Sequence, residues 1–349
     1  MTDLANALGL RLPIFLAPMA GDVARPELVA AVSEAGGLGQ LGGGYLAPEA
    51  LRASVRAIRQ RTDRPFGVNL FVPQRTSIES QHVDAFRKVL AAYYAKLELA
   101  QPDPIPESED HFEQQVAVVI EERVPVFSFT FGIPRDVQLE ALRKSGAYLM
   151  GTATSPAEAM ALQAAGVDAV VAQGWEAGGH RGTFLQPTDE GMLGTMALVP
   201  QVVDAVSLPV VAAGGIADRR GVRAALALGA SAVAAGTAFL ATNEAALPPA
   251  HREALRGPRA AATRLTRVFS GKLARGVPNR FMDEVERCTA VVPPYPITHH
   301  LTRPLRAEAA RRSEVDYLSV WAGQCAPMAR RCSACDVLLE LAAGIGNGP

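Results

Sequence analysis

The chain has 349 residues, a formal net charge of −1, 49% hydrophobic and 20% charged residues, an ordinary balance for a soluble globular protein. So near-neutral a charge gives no electrostatic case for nucleic acid or an anionic membrane as a partner. No apolar run reaches the length of a membrane span, "MTDLANALGLRLP" lacks the form of a signal peptide, and four cysteines in so long a chain fit a reducing cytosol, so a cytoplasmic location is expected.

In chain order, the first apolar segment is "PIFLAPM" (13–19), followed by the amphipathic "RPELVAAVSEAG" with Pro26 near its start and Gly36 at its end. "GLGQLG" (Gly37 to Gly42) matches G-x-G-x-x-G, yet it follows a helix and contains the next strand. A dinucleotide fingerprint needs the opposite order, so this is a helix-to-strand turn. Strand signals continue at "LGQLGG" (38–43) and "FGVNLFV" (66–72). The stretch 73–122 is too long for a simple connection, and its "QHVDAFRKVLAAYYAKLELA" and "QPDPIPESED" predict an insertion with at least one extra helix. Then come "VPVFSFTFG" (124–132), "YLMGTAT" (148–154), "DAVVAQG" (168–174), "LPVVAAGG" (208–215) and "SAVAAGT" (231–237), most of them separated by Ala- and Leu-rich helices. Ser155-Pro156 marks one helix start, and Gly146, Gly166 and Gly229 mark helix ends. Residues 238–349 form a C-terminal excursion, too long for one closing helix, with prolines at 293, 294, 296 and 304.

Continuous rather than alternating apolarity is what a strand covered on both faces shows. Eight strand-then-helix units therefore predict an α/β single domain, 1–349, built as a (β/α)8 TIM barrel with an insertion after strand three and a C-terminal extension. An open doubly wound sheet is the alternative, and it accounts less well for glycine-rich ends spread over many strands.

The chemistry concentrates at those ends. Gly214 and Gly215 follow strand seven, and Gly236 and Thr237 follow strand eight, where barrels commonly hold a phosphate with backbone N–H groups. Plain tight turns are the bland reading. Asn69 and Gln173 place amides at the ends of strands three and six; their partners are either backbone or a flat heterocycle edge. Ala17, Pro18 and Met19 offer a small residue, a kinked backbone and a polarisable side chain beneath such a ring. Heterocycle plus phosphate describes a mononucleotide, and flavin mononucleotide (FMN) fits best. In "QGWEAGGHRGTF" (173–184), His180 lies among glycines on the loop leaving strand six, a candidate base, acid or anion-orienting donor. His82 and His111 fall in the insertion and His251 in a charged helix, while His299-His300 could roof the site. Glu176 is given no role and Arg181 reads as solvated. Cys332 and Cys335 form a lone CxxC near Cys325 with no fourth zinc ligand nearby, so no metal is expected.

The pieces "PIFLAPMAG", "AGGLGQLGGG", "VNLFVP", "AQGWEAGGHRGTF", "VVAAGGIAD", "AAGTAFLAT", "SGKLARGVPNRF", "YPITHHLTRPLR" and "WAGQ" lie between residues 13 and 324. In that order they resemble the nitronate monooxygenase family, formerly called 2-nitropropane dioxygenases. The resemblance implies an FMN barrel without metal that oxidises alkyl nitronates, such as propionate 3-nitronate, with O2 to a carbonyl compound and nitrite. It implies FMN contacts from Met19, Asn69, Gln173, Gly178, Gly179, Gly215, Gly236 and Thr237, with Gln324 near the ring. It places His180 over the flavin facing the substrate, with Tyr295 and His299 closing the site; "TFGIP" after strand four lacks a histidine, so proton abstraction rests on His180. The expected assembly is a monomer or homodimer. An FMN-dependent enoyl-acyl-carrier-protein reductase using NAD(P)H shares the "EAGGH" piece and is the nearest rival, though "HHLTRPLR" favours the nitronate enzymes. A flavin-binding protein without turnover is the other.

Overall fold

The computed structural model describes residues 2–21, 23–74, 79–102, 111–185 and 191–346. The barrel strands are β1 (Ile14–Leu16), β2 (Gly39–Gly42), β3 (Phe66–Phe71), β4 (Val126–Thr130), β5 (Tyr148–Ala153), β6 (Ala169–Gln173), β7 (Val210–Ala213) and β8 (Ala232–Ala235). All their ladders are parallel, in the order β1-β8-β7-β6-β5-β4-β3-β2, and a Phe15–Leu38 bridge joins the two ends. The eight expected strands are thus the eight observed, in a (β/α)8 barrel. Strand β3 runs two residues past Asn69, to Phe71, so Asn69 stands inside the strand and not at its end.

The unbroken apolar runs have the cause inferred for them. In β1, Phe15 points into an interior cluster with Leu38, Val126, Met150, Ala169 and Val211, while Ile14 and Leu16 face the surrounding helices. A short N-terminal helix, Asp3–Ala7, adds Leu4 and Ala5 to that interior. Gly36, Gly146, Gly166 and Gly229 all adopt positive φ just past helices. Above the interior apolar layer lies a polar one: Gln40 Nε2 donates to Leu16 O at 3.1 Å, Ser128 Oγ to Gln40 Oε1 at 3.1 Å, and Asn69 Nδ2 to Ser128 Oγ at 2.9 Å.

The insertion carries its extra helix, Ser80–Lys96, which docks on the C-terminal excursion through Tyr94 Oη to Leu301 O at 2.7 Å. It is narrower than 73–122, because Phe112–Glu121 is the third unit's own barrel helix and packs on β3 and on the helix Pro48–Arg59. Most of "QPDPIPESED" (residues 103–110) lies outside the described residues.

The excursion divides as well. Its last helix, Ala334–Ala342, packs against β1 and the helices Pro26–Glu34 and Arg219–Ala227, and so supplies the barrel's eighth outer helix. The intervening segment builds a cap with its own core, in which Phe269, Phe281, Leu301 and Tyr317 meet Phe86, Leu90 and Tyr94 of the inserted helix. Strands Arg264–Thr266 and Ala274–Gly276 join Gly179–His180 in a small antiparallel sheet, placing Ala274 opposite His180. Among the described residues no helix is long and apolar enough to cross a membrane, and the four cysteines are free thiols.

Leu338 is fully buried on the eighth helix beside Gly37. Leu338→Ala should cost about 2–5 kcal/mol through the lost transfer energy and the cavity left behind. Urea unfolding measures it, and a loss under about 1 kcal/mol would show that this helix does not carry the barrel wall.

Candidate active site

Two carboxylates hold the loop that leaves β6. Glu158, fully buried in the first turn of the helix Pro156–Ala164, accepts from Thr154 N (2.6 Å), Thr154 Oγ1 (2.7 Å), Thr183 Oγ1 (2.9 Å), Phe184 N (2.6 Å) and Leu185 N (3.1 Å). Glu176, set aside in the sequence, points inward and accepts from Thr195 N and Thr195 Oγ1 at 2.9–3.0 Å at the start of the helix Thr195–Ala205. Arg181 is not solvated: at 5% exposure it donates to Gln173 O and to Thr154 O, and its guanidinium lies 5.5 Å from the Trp175 ring centroid. Burial draws its pKa down to about 10, while Glu158 and Glu176 pull the other way. Gln173 closes the loop on itself, donating from Nε2 to His180 O (3.0 Å) and accepting from Gly182 N (2.8 Å).

Backbone is therefore the partner of Gln173, and strand hydroxyls are the partners of Asn69, whose Nδ2 meets Ser128 Oγ and Thr130 Oγ1. Each carboxamide still has donor or acceptor capacity left for a ring edge. At the neighbouring strand ends, the N–H groups of Gly214, Gly215 and Gly236 donate to no described protein acceptor. The Thr237 hydroxyl accepts from Gly323 N at 2.9 Å, which leaves its own proton free. Unspent donors concentrated beside two strand ends suit a phosphate. Ala17, Pro18 and Met19 follow β1, which is tied to β8 by Ala17 N to Ala235 O at 2.9 Å. A Cβ on Gly178 would sit 2.4 Å from Gly323 N, so only glycine lets residues 322–324 cross there. That crossing carries Gln324 to the rim, its N–H donating to Glu176 O at 3.0 Å. Gly179, at φ +74°, faces open space. The residues present fit FMN.

His180 stands in a cluster of rings from several parts of the chain. Its ring centroid is 5.5 Å from Trp321, 6.0 Å from Phe131 and 6.3 Å from Tyr295. His180 Nε2 meets Ser270 Oγ at 2.8 Å, and Ser270 Oγ in turn donates to Lys272 O at 3.1 Å. Lys272, 8% exposed, donates to Gln74 Oε1 (3.2 Å) and Thr183 O (3.4 Å), and its ammonium lies 4.5 Å from the Phe131 centroid. Burial lowers Lys272 to about 8. Burial, then the charges of Lys272 and Arg306, bring His180 down to about 3, so the imidazole is neutral near pH 7. Tyr295 and His299 come together with it as expected, 6.0 Å apart, and His299 is likewise lowered, to about 2. Tyr45, Lys272 and Arg306 were missed in the sequence. His251 is a buried residue, not a surface one, with its Nε2 unpartnered and its pKa lowered by burial to about 4.

A (β/α)8 barrel whose rim gathers unspent N–H donors, a neutral imidazole and two cations with no described carboxylate partner has the framework of a barrel enzyme. Comparison with known proteins gives the family. The nitronate monooxygenase family model matches residues 3–344. A probable nitronate monooxygenase of Staphylococcus aureus is 44% identical over 92% of this chain and 90% of its own. The crystal structure of nitroalkane oxidase from Streptomyces ansochromogenes superposes with a TM-score of 0.92 at 43% identity, covering 98% of this chain and 97% of that one. FabK from Thermotoga maritima follows at 0.77 and 30%, covering 98% and 94%. The chain belongs to the nitronate monooxygenase family, and is thereby an oxidoreductase.

Glu158→Gln removes the charge and turns N–H groups toward backbone donors. It should cost about 3 kcal/mol or more, read by urea unfolding; near-wild-type stability would deny this carboxylate its grip on the loop. Acid should destabilise the protein early. The unfolded chain protonates its histidines near 6.5, whereas the folded values of His251, His180 and His299 lie at about 4, 3 and 2. Below pH 6.5 the unfolded state binds protons that the folded state refuses, so stability falls as pH drops toward 4, by at most about 1.4 kcal/mol per unit and histidine. A urea midpoint equal at pH 7 and pH 5 would contradict this.

Proposed function

We propose that this protein is an FMN-dependent nitronate monooxygenase that oxidises alkyl nitronates, propionate 3-nitronate among them, with O2 to a carbonyl compound and nitrite. The observation that carries the reading is the neutral His180 beside the buried Lys272 ammonium, on the rim that also holds the free N–H groups of Gly214, Gly215 and Gly236. FMN held by that cradle supplies the electron acceptor between nitronate and O2.

The chain's own groups do the rest. A nitronate arrives already ionised, so no proton has to be taken from it, and Lys272 supplies the positive potential that favours an anion. Phe131, Tyr295 and Trp321 keep water from the ring face. Ser270 Oγ spends its proton on Lys272 O, so His180 Nε2–H donates to Ser270 Oγ and Nδ1 keeps a lone pair with no described partner, the place of a base. A neutral nitroalkane asks more, because His180 must take the α-proton while Lys272 and Arg306 oppose the imidazolium. Preformed nitronates are therefore the better substrates. The 43–44% relatives named for nitronates and nitroalkanes favour this reading over an enoyl reductase.

The purified protein should show a flavin spectrum and release nitrite from propionate 3-nitronate with O2 uptake. A flavin band without oxygen uptake would leave a binding protein only, and anaerobic bleaching by NADPH would favour the reductase. In His180→Asn, FMN should stay bound while turnover of neutral nitroalkanes falls by about 10²-fold or more; undiminished turnover would remove His180 from its role.

A further inference from the structure

Next to the nitronate site lies a second cationic corner that the reading above leaves unused. Arg306, on the helix Ile297–Arg312, donates from Nη2 to His299 Nδ1 (3.2 Å) and His299 O (3.1 Å), and from Nε to Thr302 Oγ1 (3.3 Å). It forms no ion pair with any described carboxylate, and its Nη1 has no described partner. Burial draws its pKa down to about 10, and the neighbouring Arg303 charge adds to that. Tyr45 stacks on His299, ring centroids 4.3 Å apart at 21°, and its buried hydroxyl has no hydrogen-bond partner. A buried phenol without a described partner is costly to keep, and the half-buried guanidinium beside it has no described anion.

The donors have a common character. A guanidinium only donates, so His299 Nδ1 must accept, and the imidazole carries its proton on Nε2. Arg306 Nη1 and Tyr45 O–H, both against the His299 ring, are then two unspent donors, and a guanidinium with a phenol suits an oxygen anion, most of all a carboxylate. Tyr295 neighbours both this corner and the reacting one, 6.0 Å from the His299 ring and 6.3 Å from the His180 ring.

We propose that Arg306 and Tyr45, held against the His299 ring, form a carboxylate subsite that reads the far end of a carboxylated nitronate while Lys272 holds its nitro group beside His180. The assignment rests on the nitronate reading. It makes Arg306 and Tyr45 the residues that set preference among nitronates.

The test compares kcat/KM for the nitronate of 3-nitropropionate with that of 1-nitropropane, which carries a methyl group in place of the carboxylate. Wild type should prefer the former. Arg306→Met should cut that preference by roughly 10- to 100-fold, mainly through KM, as expected for a lost charge-assisted hydrogen bond. Tyr45→Phe should cut it several-fold without lowering Tm, since the hydroxyl removed bonds to nothing in the protein. Equal losses on both substrates, or no preference in wild type, would overturn the subsite. Titration calorimetry with propionate decides independently of turnover: binding should weaken about tenfold in either variant, and equal affinity in all three proteins would also overturn it. Failure of wild type to release nitrite from either nitronate would instead sink the nitronate reading, and propionate binding would still judge the corner.

Discussion

Where the imidazole of residue 180 sits is decided by charge buried behind it. Glu158 holds Thr183, Phe184 and Leu185 on one side, Glu176 anchors the other side to the helix at Thr195, and Arg181 fills the space between with its guanidinium on Gln173 and Thr154 carbonyls. None of these charges is in bulk water, so each is tolerable only because hydrogen bonds within the protein meet it. A loop that would otherwise wander is thereby made part of the barrel. The small sheet with Ala274–Gly276 and the Gln173 carboxamide add direction to that grip, fixing which way His180 faces.

Over this anchored loop the cap brings the opposite electrostatic condition. Lys272 and Arg306 come from the segment after β8, and among the described residues neither forms an ion pair with an acid. Burial, joined by Arg306 at both rings and by Lys272 at His180, keeps His180 and His299 neutral near pH 7. Behind the loop, then, charges are satisfied by the protein. In front of it, no described carboxylate meets them, and that asymmetry leaves positive potential at the rim.

Much of this was legible in the sequence, and the exceptions have physical reasons. The eight strands were visible because burial on both faces leaves unbroken apolar runs, as in "AVVA" and "FGVNLF". His180 stood out because the glycines around it serve close backbone approach, as Gly178 does beneath Gly323. Glu158 was hidden because an acid in the first turn after Ser155-Pro156 reads as an ordinary partner of the helix dipole. Arg306 and Lys272 were hidden because a cation in a polar stretch looks solvated until the fold removes its water. Tyr45 follows β2 directly, yet its meaning depends on a helix that starts at Ile297, a pairing no local pattern reveals. The eighth helix was misplaced for the same reason of distance, and Phe112–Glu121 because the insertion ahead of it hides where the barrel resumes.

That distance also has a kinetic side. Strand β8 ends at Ala235, but the helix that shields its neighbourhood with β1 begins only at Ala334, and the whole cap is made in between. At ordinary translation speeds the ribosome needs about 5–20 s to cover that interval. Throughout it a nascent barrel shows a bare greasy seam between its first and last staves, the kind of surface that draws chaperones or sticks to other chains. The last turns of the polypeptide thus act as the hoop that lets the cask leave the bench, and a nick or frameshift there harms the enzyme during manufacture rather than during catalysis.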